Sequence, residues 1–191
     1  MATVHPFAPA NSDPQLAHMR LPPHSLEAEQ SVLGGLLLEN SAWDRIGDVV
    51  SEKDFYRQDH RQILRAIVKQ ISDSRPADAV TVAESLQSLG ELEAVGGLSY
   101  IVALASNTPS AANIRRYAEI VRERSVMRRL AEVATGIADS AYAPAGRSAS
   151  QLLDEAEARV FEIAESGSRG QAGFAELKPL LKQVVERIDE L

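Results

Sequence analysis

The spacing of apolar residues constrains this chain more than any other feature. Through most of its length they recur every three or four positions, and no stretch alternates apolar with polar residues as a half-buried strand would. A helix has 3.6 residues per turn, so such spacing gathers apolar side chains on one helical face. The chain is therefore predicted to be all-α, and it carries no repeat of 20 to 50 residues.

Residues 1–20 hold Pro6, Pro9 and Pro14 among small and polar neighbours, and read as a disordered arm. After Leu21-Pro22-Pro23 a first helix is expected from Ser25 to about Glu39. Ser25 serves as its cap, and Glu27 and Glu29 occupy the first turn, where the helix dipole favours negative charge. Gly34-Gly35 lowers helix propensity in its middle, which points to a close helix contact there. Trp43, Ile46, Val49 and Val50 suggest a short second helix. Ile63, Leu64, Ile67, Val68 and Ile71 define a strongly periodic one. Another spans about Ala79–Leu89 and stops at Gly90, and Gly96-Gly97 opens a helix with Tyr100, Ile101 and Leu104. Residues 21–106 thus form a compact helical bundle.

Residues 107–165 read differently. A long helix, about Ala111–Ala141, carries Ile120, Met127, Ala134 and Ala141 at intervals of seven, with Leu130 and Ile137 three residues after Met127 and Ala134. Ala143-Pro144-Ala145-Gly146-Arg147 is a turn, and Ser148 or Ser150 caps a return helix to about Glu165, with Leu152, Leu153, Ala156, Val160 and Ile163 expected inside. The pair is a long antiparallel helical hairpin. Residues 166–173 are a flexible linker by composition. In 174–191, Phe174, Leu177, Leu181, Val184 and Ile188 make one stripe. A lone helix of that length is marginal in water, so it is expected to pack on a partner. The stripe is still running at Leu191, which suggests a piece of a longer protein.

Chemistry is conspicuous by exclusion. There is no cysteine, hence no disulfide or thiolate metal site, in keeping with a cytoplasmic setting. No phosphate-binding loop, nucleophile elbow or paired-histidine zinc motif occurs, so no catalytic residue, metal or cofactor is assigned to this chain. His60 is expected to be a surface or cap residue and not a ligand. No apolar run is long enough for a membrane span. The net charge is -7, yet residues 111–129 carry six arginines against Glu119 and Glu123. That basic helix could pair with the acidic return helix, pair with a neighbouring subunit, or touch DNA phosphates.

Several segments resemble the replicative helicases of bacteria, the DnaB family. They are Leu21-Pro-Pro-His-Ser-Leu-Glu-Ala-Glu-Gln-Ser-Val-Leu-Gly34, Asp54-Phe-Tyr-Arg-Gln-Asp-His60, Asp78-Ala-Val-Thr-Val82, Gly96-Gly-Leu-Ser-Tyr-Ile101, Thr108-Pro-Ser-Ala-Ala-Asn-Ile114, Tyr117-Ala-Glu-Ile-Val121 and Arg124-Ser-Val-Met-Arg-Arg-Leu130. They run in order through about 21–165. The resemblance implies an N-terminal domain whose hairpins pair between subunits and build a collar on a hexameric ring. It also implies that the collar binds the C-terminal domain of primase. A linker helix, here 174–191, would dock on an ATPase domain and lie where a helicase loader makes contact. In full length such proteins use ATP and magnesium to unwind duplex DNA 5′ to 3′. The ATPase domain falls outside these residues, so this chain alone is expected to be no enzyme.

On that basis Glu27 and Tyr100 are candidates for primase contact, with Arg128 and Ala131 as further ones. Ile120, Met127, Leu130, Ala134 and Ile137 are candidates for hairpin pairing, and Phe174, Leu177, Leu181, Val184 and Ile188 for linker-helix docking. The competing readings are a DNA-binding module using the arginine-rich helix and a loader-like regulatory protein.

Overall fold

A computed structural model describes residues 21–167. The arm, the linker and the candidate docking helix with Phe174, Leu177, Leu181, Val184 and Ile188 lie outside the described residues. Every regular element among the described residues is helical.

Helix α1, Leu26–Leu38, is the centre of the bundle. Ser25 caps it, its hydroxyl accepting the Ala28 N–H at 3.3 Å. Val32, Leu33 and Leu36 are completely buried in it. Around α1 pack α2 (Gln58–Ser72), α4 (Gly97–Ser106) and the first half of α5 (Ile114–Tyr142), while α3 (Ala79–Ser88) closes the side between α2 and α4. Phe55, Ile63, Leu64, Ile67, Leu86, Ile101 and Ile114 complete one continuous core. The segment expected as a second helix is instead a 3-10 turn at Asn40–Arg45, from which Ala42 and Ile46 reach the core. Four apolar residues at that spacing satisfy a tight turn as well as a helix.

The glycine pair in α1 has a steric cause. A Cβ on Gly34 would lie 2.0 Å from the Thr108 hydroxyl oxygen and 2.2 Å from the Leu104 carbonyl oxygen, so α4 crosses α1 at near backbone contact. Helix α3 is bounded as its sequence suggests. Asp78 and Thr81 cap each other's backbone at the start. Gly90, with φ +70°, ends it in a Schellman turn closed by Glu91 N–H to the Leu86 carbonyl.

Helix α5 leaves the bundle and returns as α6, Ala149–Gly167, through a turn with Ala145 and Gly146 in the left-handed region. Ser148 is the cap of α6: its hydroxyl accepts the Gln151 N–H, and Gln151 reaches back to the Ser148 N–H. The hairpin is antiparallel, with Arg129 3.6 Å from Glu162. Its inner face differs from expectation. Leu152, Ala156 and Ile163 turn inward, but Leu153 and Val160 are 65% and 47% exposed. The apolar arc of α6 is wider than one neighbouring helix covers.

Candidate protein-interaction sites

Glu29 stands in the first turn of α1, where its charge suits the helix dipole, yet it is buried. Its carboxylate accepts the Tyr56 N–H at 2.5 Å and lies 2.7 Å from His60 Nδ1. His60 is buried in the first turn of α2, and its Nε2 lies 2.7 Å from the Tyr100 hydroxyl. Gln30 donates to that same hydroxyl at 3.2 Å. A carboxylate only accepts, so the shared proton between Glu29 and His60 sits on Nδ1. The Tyr100 O–H then donates to Nε2 while its oxygen accepts from Gln30. Four side chains from three helices therefore hold one directed hydrogen-bond chain, and His60 is a buried relay where a surface or cap residue was expected. Nothing local in the sequence marks it, because its partners lie 31 and 40 residues away.

Tyr100 is half-buried, with its ring beneath the Arg57 guanidinium at 5.7 Å. Arg57 is ion-paired with Asp59, which raises its pKa above the usual arginine value. Burial pushes the Asp59 carboxyl up, but the bonds from Arg57 and the His60 N–H outweigh it and leave the pKa below its ordinary value. Glu27 and Tyr100 line one shallow cleft of about 230 Å³ between α1 and α4, with Gln30, Ser31 and Asn107 between them. The structure thus brings the two foremost candidates for partner contact onto one surface.

The two further candidates separate from that surface and from each other. Ala131 is exposed on the hairpin. Arg128 is 7% exposed. It donates to the carbonyls of Pro23 at 2.8 Å and Asp54 at 2.5 Å, and its guanidinium lies 5.6 Å from the Tyr56 ring. Burial holds its pKa below the usual arginine value. Arg128 thus ties the hairpin to the bundle and presents little surface. Nearly two turns earlier Arg122 grips the Asp54 carboxylate at 2.6 Å.

Five of the six arginines of residues 111–129 meet partners within the chain. Arg115 and Arg116 pair with Glu119, Arg122 and Arg128 engage Asp54, and Arg129 faces Glu162. Arg124 reaches only the Met127 sulfur, and Arg128 is held by carbonyls and not by a carboxylate.

The hairpin seam is open. Met127 and Leu130 are 38% and 51% exposed, and Ala134 is exposed too. Ile137 is half-buried between the helices, and Ile120 packs on the bundle core. Val160 and Phe161 add to the exposed apolar surface on α6. Exposed large apolar side chains thus lie on both helices of the hairpin. Among the described residues no His, Asp and Glu cluster is able to hold a metal ion, and no helix is long and apolar enough to cross a membrane.

Comparison with known proteins agrees with this architecture. The model of the DnaB-like helicase N-terminal domain matches residues 21–123. The chain is 41% identical over 181 residues to the replicative DNA helicase DnaB of Haemophilus influenzae, covering 95% of this chain and 39% of that protein. It is 39% identical over 176 residues to the replicative DNA helicase DnaC of Bacillus subtilis, covering 92% of this chain and 38% of that protein. It therefore spans about two fifths of the length of these relatives. The crystal structure of the N-terminal domain of DnaB helicase from Mycobacterium tuberculosis superposes with a TM-score of 0.70 at 39% identity, over 75% of this chain and 99% of that one. A DnaB-like replicative helicase solved for its interactions with primase shares the fold, with a TM-score of 0.61 at 20% identity, over 87% of this chain and 35% of that one. With a bundle, a hairpin and more than half of its length matching that domain, the chain belongs to the DnaB-like helicase N-terminal domain family.

Proposed function

We propose that this chain is the assembly and partner-docking module of a replicative DNA helicase. In the whole protein it forms a collar through paired hairpins and receives the C-terminal domain of primase. The observation that carries this reading is the exposed apolar seam of Met127, Leu130 and Ala134 on a hairpin otherwise fastened to its own bundle. A side chain such as Leu130 gains little by lining an exposed helix unless a second surface covers it. Unwinding of duplex DNA, ATP hydrolysis with magnesium and contact with a loader belong to the whole protein on this reading.

The Glu27–Tyr100 cleft is the proposed primase-facing surface, supported by the placement of both residues on one side of the bundle. Ala131 joins it only if primase reaches from the bundle to the hairpin. Light scattering across a sizing column tests the proposal, with the chain alone and then with the C-terminal domain of its cognate primase. A dimer or larger assembly that gains primase mass supports it. A monomer that ignores primase overturns it for this chain.

A further inference from the structure

The residues just before α1 are held at the root of the hairpin and not by the core. Leu21, Pro22 and Pro23 lie outside the continuous apolar core, and Leu21 is 76% exposed. The His24 ring stacks on the Tyr56 ring, with centroids 4.4 Å apart and planes 12° from parallel. The Arg128 guanidinium lies over that same Tyr56 ring at 5.6 Å. Its Nη1 donates to the Pro23 carbonyl at 2.8 Å, and its Nη2 donates to the Asp54 carbonyl. His24 Nδ1 lies 2.7 Å from the Pro22 carbonyl, so that nitrogen carries a proton and donates it. One aromatic ring and one guanidinium therefore hold the entry segment, the bundle and α5 together.

We propose that residues 21–24 are a releasable strap, whose closure over Tyr56 and Arg128 fixes the angle at which α5 leaves the bundle. Arg128 is buried, so opening the strap takes the Pro23 acceptor from one of its N–H groups and strips the His24 ring from Tyr56. A contact between a cation and an aromatic ring weakens as water reaches it, so both holds on Arg128 loosen together. Release is local, because no core side chain leaves with the strap. Segments with few buried apolar contacts open at far lower cost than the whole fold. Pro22 and Pro23 have a fixed φ and no N–H, so the strap closes again with little loss of chain freedom and strands no donor when open. The Arg122–Asp54 ion pair stays in place, leaving α5 attached but free to change its angle. The inference stands independently of primase binding.

The absence of cysteine makes the test clean. Spin labels are placed on the full chain at Glu84→Cys on α3 and Tyr142→Cys at the end of α5, both exposed. Dilution with unlabelled chain removes distances between copies, and pulsed dipolar spectroscopy measures the distance within one. The closed strap yields one narrow distribution. His24→Ala removes the stacked ring and Tyr56→Leu removes the platform, and each is expected to widen the distribution about twofold while circular dichroism stays native. Tyr56→Phe keeps the platform, and Leu21→Ala alters the same segment at an exposed side chain, so both should leave the width unchanged. A broad distribution in the parent overturns the proposal. So does a width that His24→Ala leaves unaltered, or one that Leu21→Ala changes equally. Should Tyr56→Leu impair folding, His24→Ala against Leu21→Ala decides the matter.

Discussion

Arg122 of the hairpin and Asp54 of the bundle meet at 2.6 Å, with side chains 15% and 4% exposed. Removing one member of such a pair leaves the other buried and uncompensated. Asp54→Ala is expected to destabilise the chain by about 3–5 kcal/mol. Urea denaturation measures this, and a double-mutant cycle with Arg122→Ala should return a coupling above about 1 kcal/mol. Additive effects would show that the pair contributes nothing specific.

Gly34 and Gly136 should respond in opposite ways to the same substitution. At Gly34 a methyl group meets the Leu104 backbone oxygen at 2.2 Å, so Gly34→Ala forces α4 away and costs about 1–3 kcal/mol or more. At Gly136 the nearest atom is the end of the Arg159 side chain at 3.4 Å, which is flexible. Gly136→Ala is expected to stabilise by about 0.5–1 kcal/mol through helix propensity. Thermal melts of the two variants decide both signs.

How much of this was readable in advance follows from the range of each interaction. Gly34-Gly35 announced a close crossing because glycine in mid-helix costs propensity wherever it stands. Ser25 and Gly90 announced helix ends because caps act within four residues. Ordered matching segments made the family recognisable before any geometry. The burial of Glu29 and His60 stayed hidden, since a first-turn glutamate and a lone histidine have adequate local explanations and their real partners come from other helices. The burial of Arg128 stayed hidden for the same reason: its pattern of charge is that of an exposed helix face, and only the folded chain puts Pro23 and Asp54 against it. The exposure of Leu153 and Val160 depended on how many helices surround α6, which periodicity does not specify.

The chain from Gln30 through Tyr100 and His60 to Glu29 separates folding from partner contact. Tyr100→Phe keeps the ring but leaves His60 Nε2 with no hydroxyl, and should cost about 1–2 kcal/mol in urea denaturation. His60→Phe removes both ring-nitrogen hydrogen bonds and should cost more than Tyr100→Phe. Equal and negligible losses would mean that the chain is dispensable.

Asp78 provides a pH test. The Thr81 N–H, with further help from the Thr81 hydroxyl and the Val80 N–H, holds its pKa below the ordinary aspartate value. A lowered folded pKa means that the contribution is present above the unfolded value of about 3.9 and fades as pH falls through the folded one. Asp78→Ala should cost about 1 kcal/mol near neutral pH as a lost cap. The difference between native and Asp78→Asn chains should shrink below about pH 4, where protonation removes the charge. Stability curves at stepped pH values check the direction.

Leu130→Glu puts a charge in the middle of the exposed seam while leaving the bundle untouched. Any self-association seen by light scattering should shift toward monomer, by about tenfold or more in dissociation constant. Helical content should not change. An unaltered assembly would move the pairing surface elsewhere.

The anchorage of α5 has a mechanical consequence. Its last polar ties to the bundle are Arg122 and Arg128, and the helix then runs on to Tyr142. Fourteen residues at 1.5 Å each make a cantilever of about 21 Å. A tilt of about 10° at its root, of the size seen when subunits rotate about an interface, carries the tip sideways by about 4 Å. Two guanidinium groups on one aspartate therefore act as the clamp of a beam. Their stiffness determines how closely the tip of the hairpin is held to one position relative to the bundle.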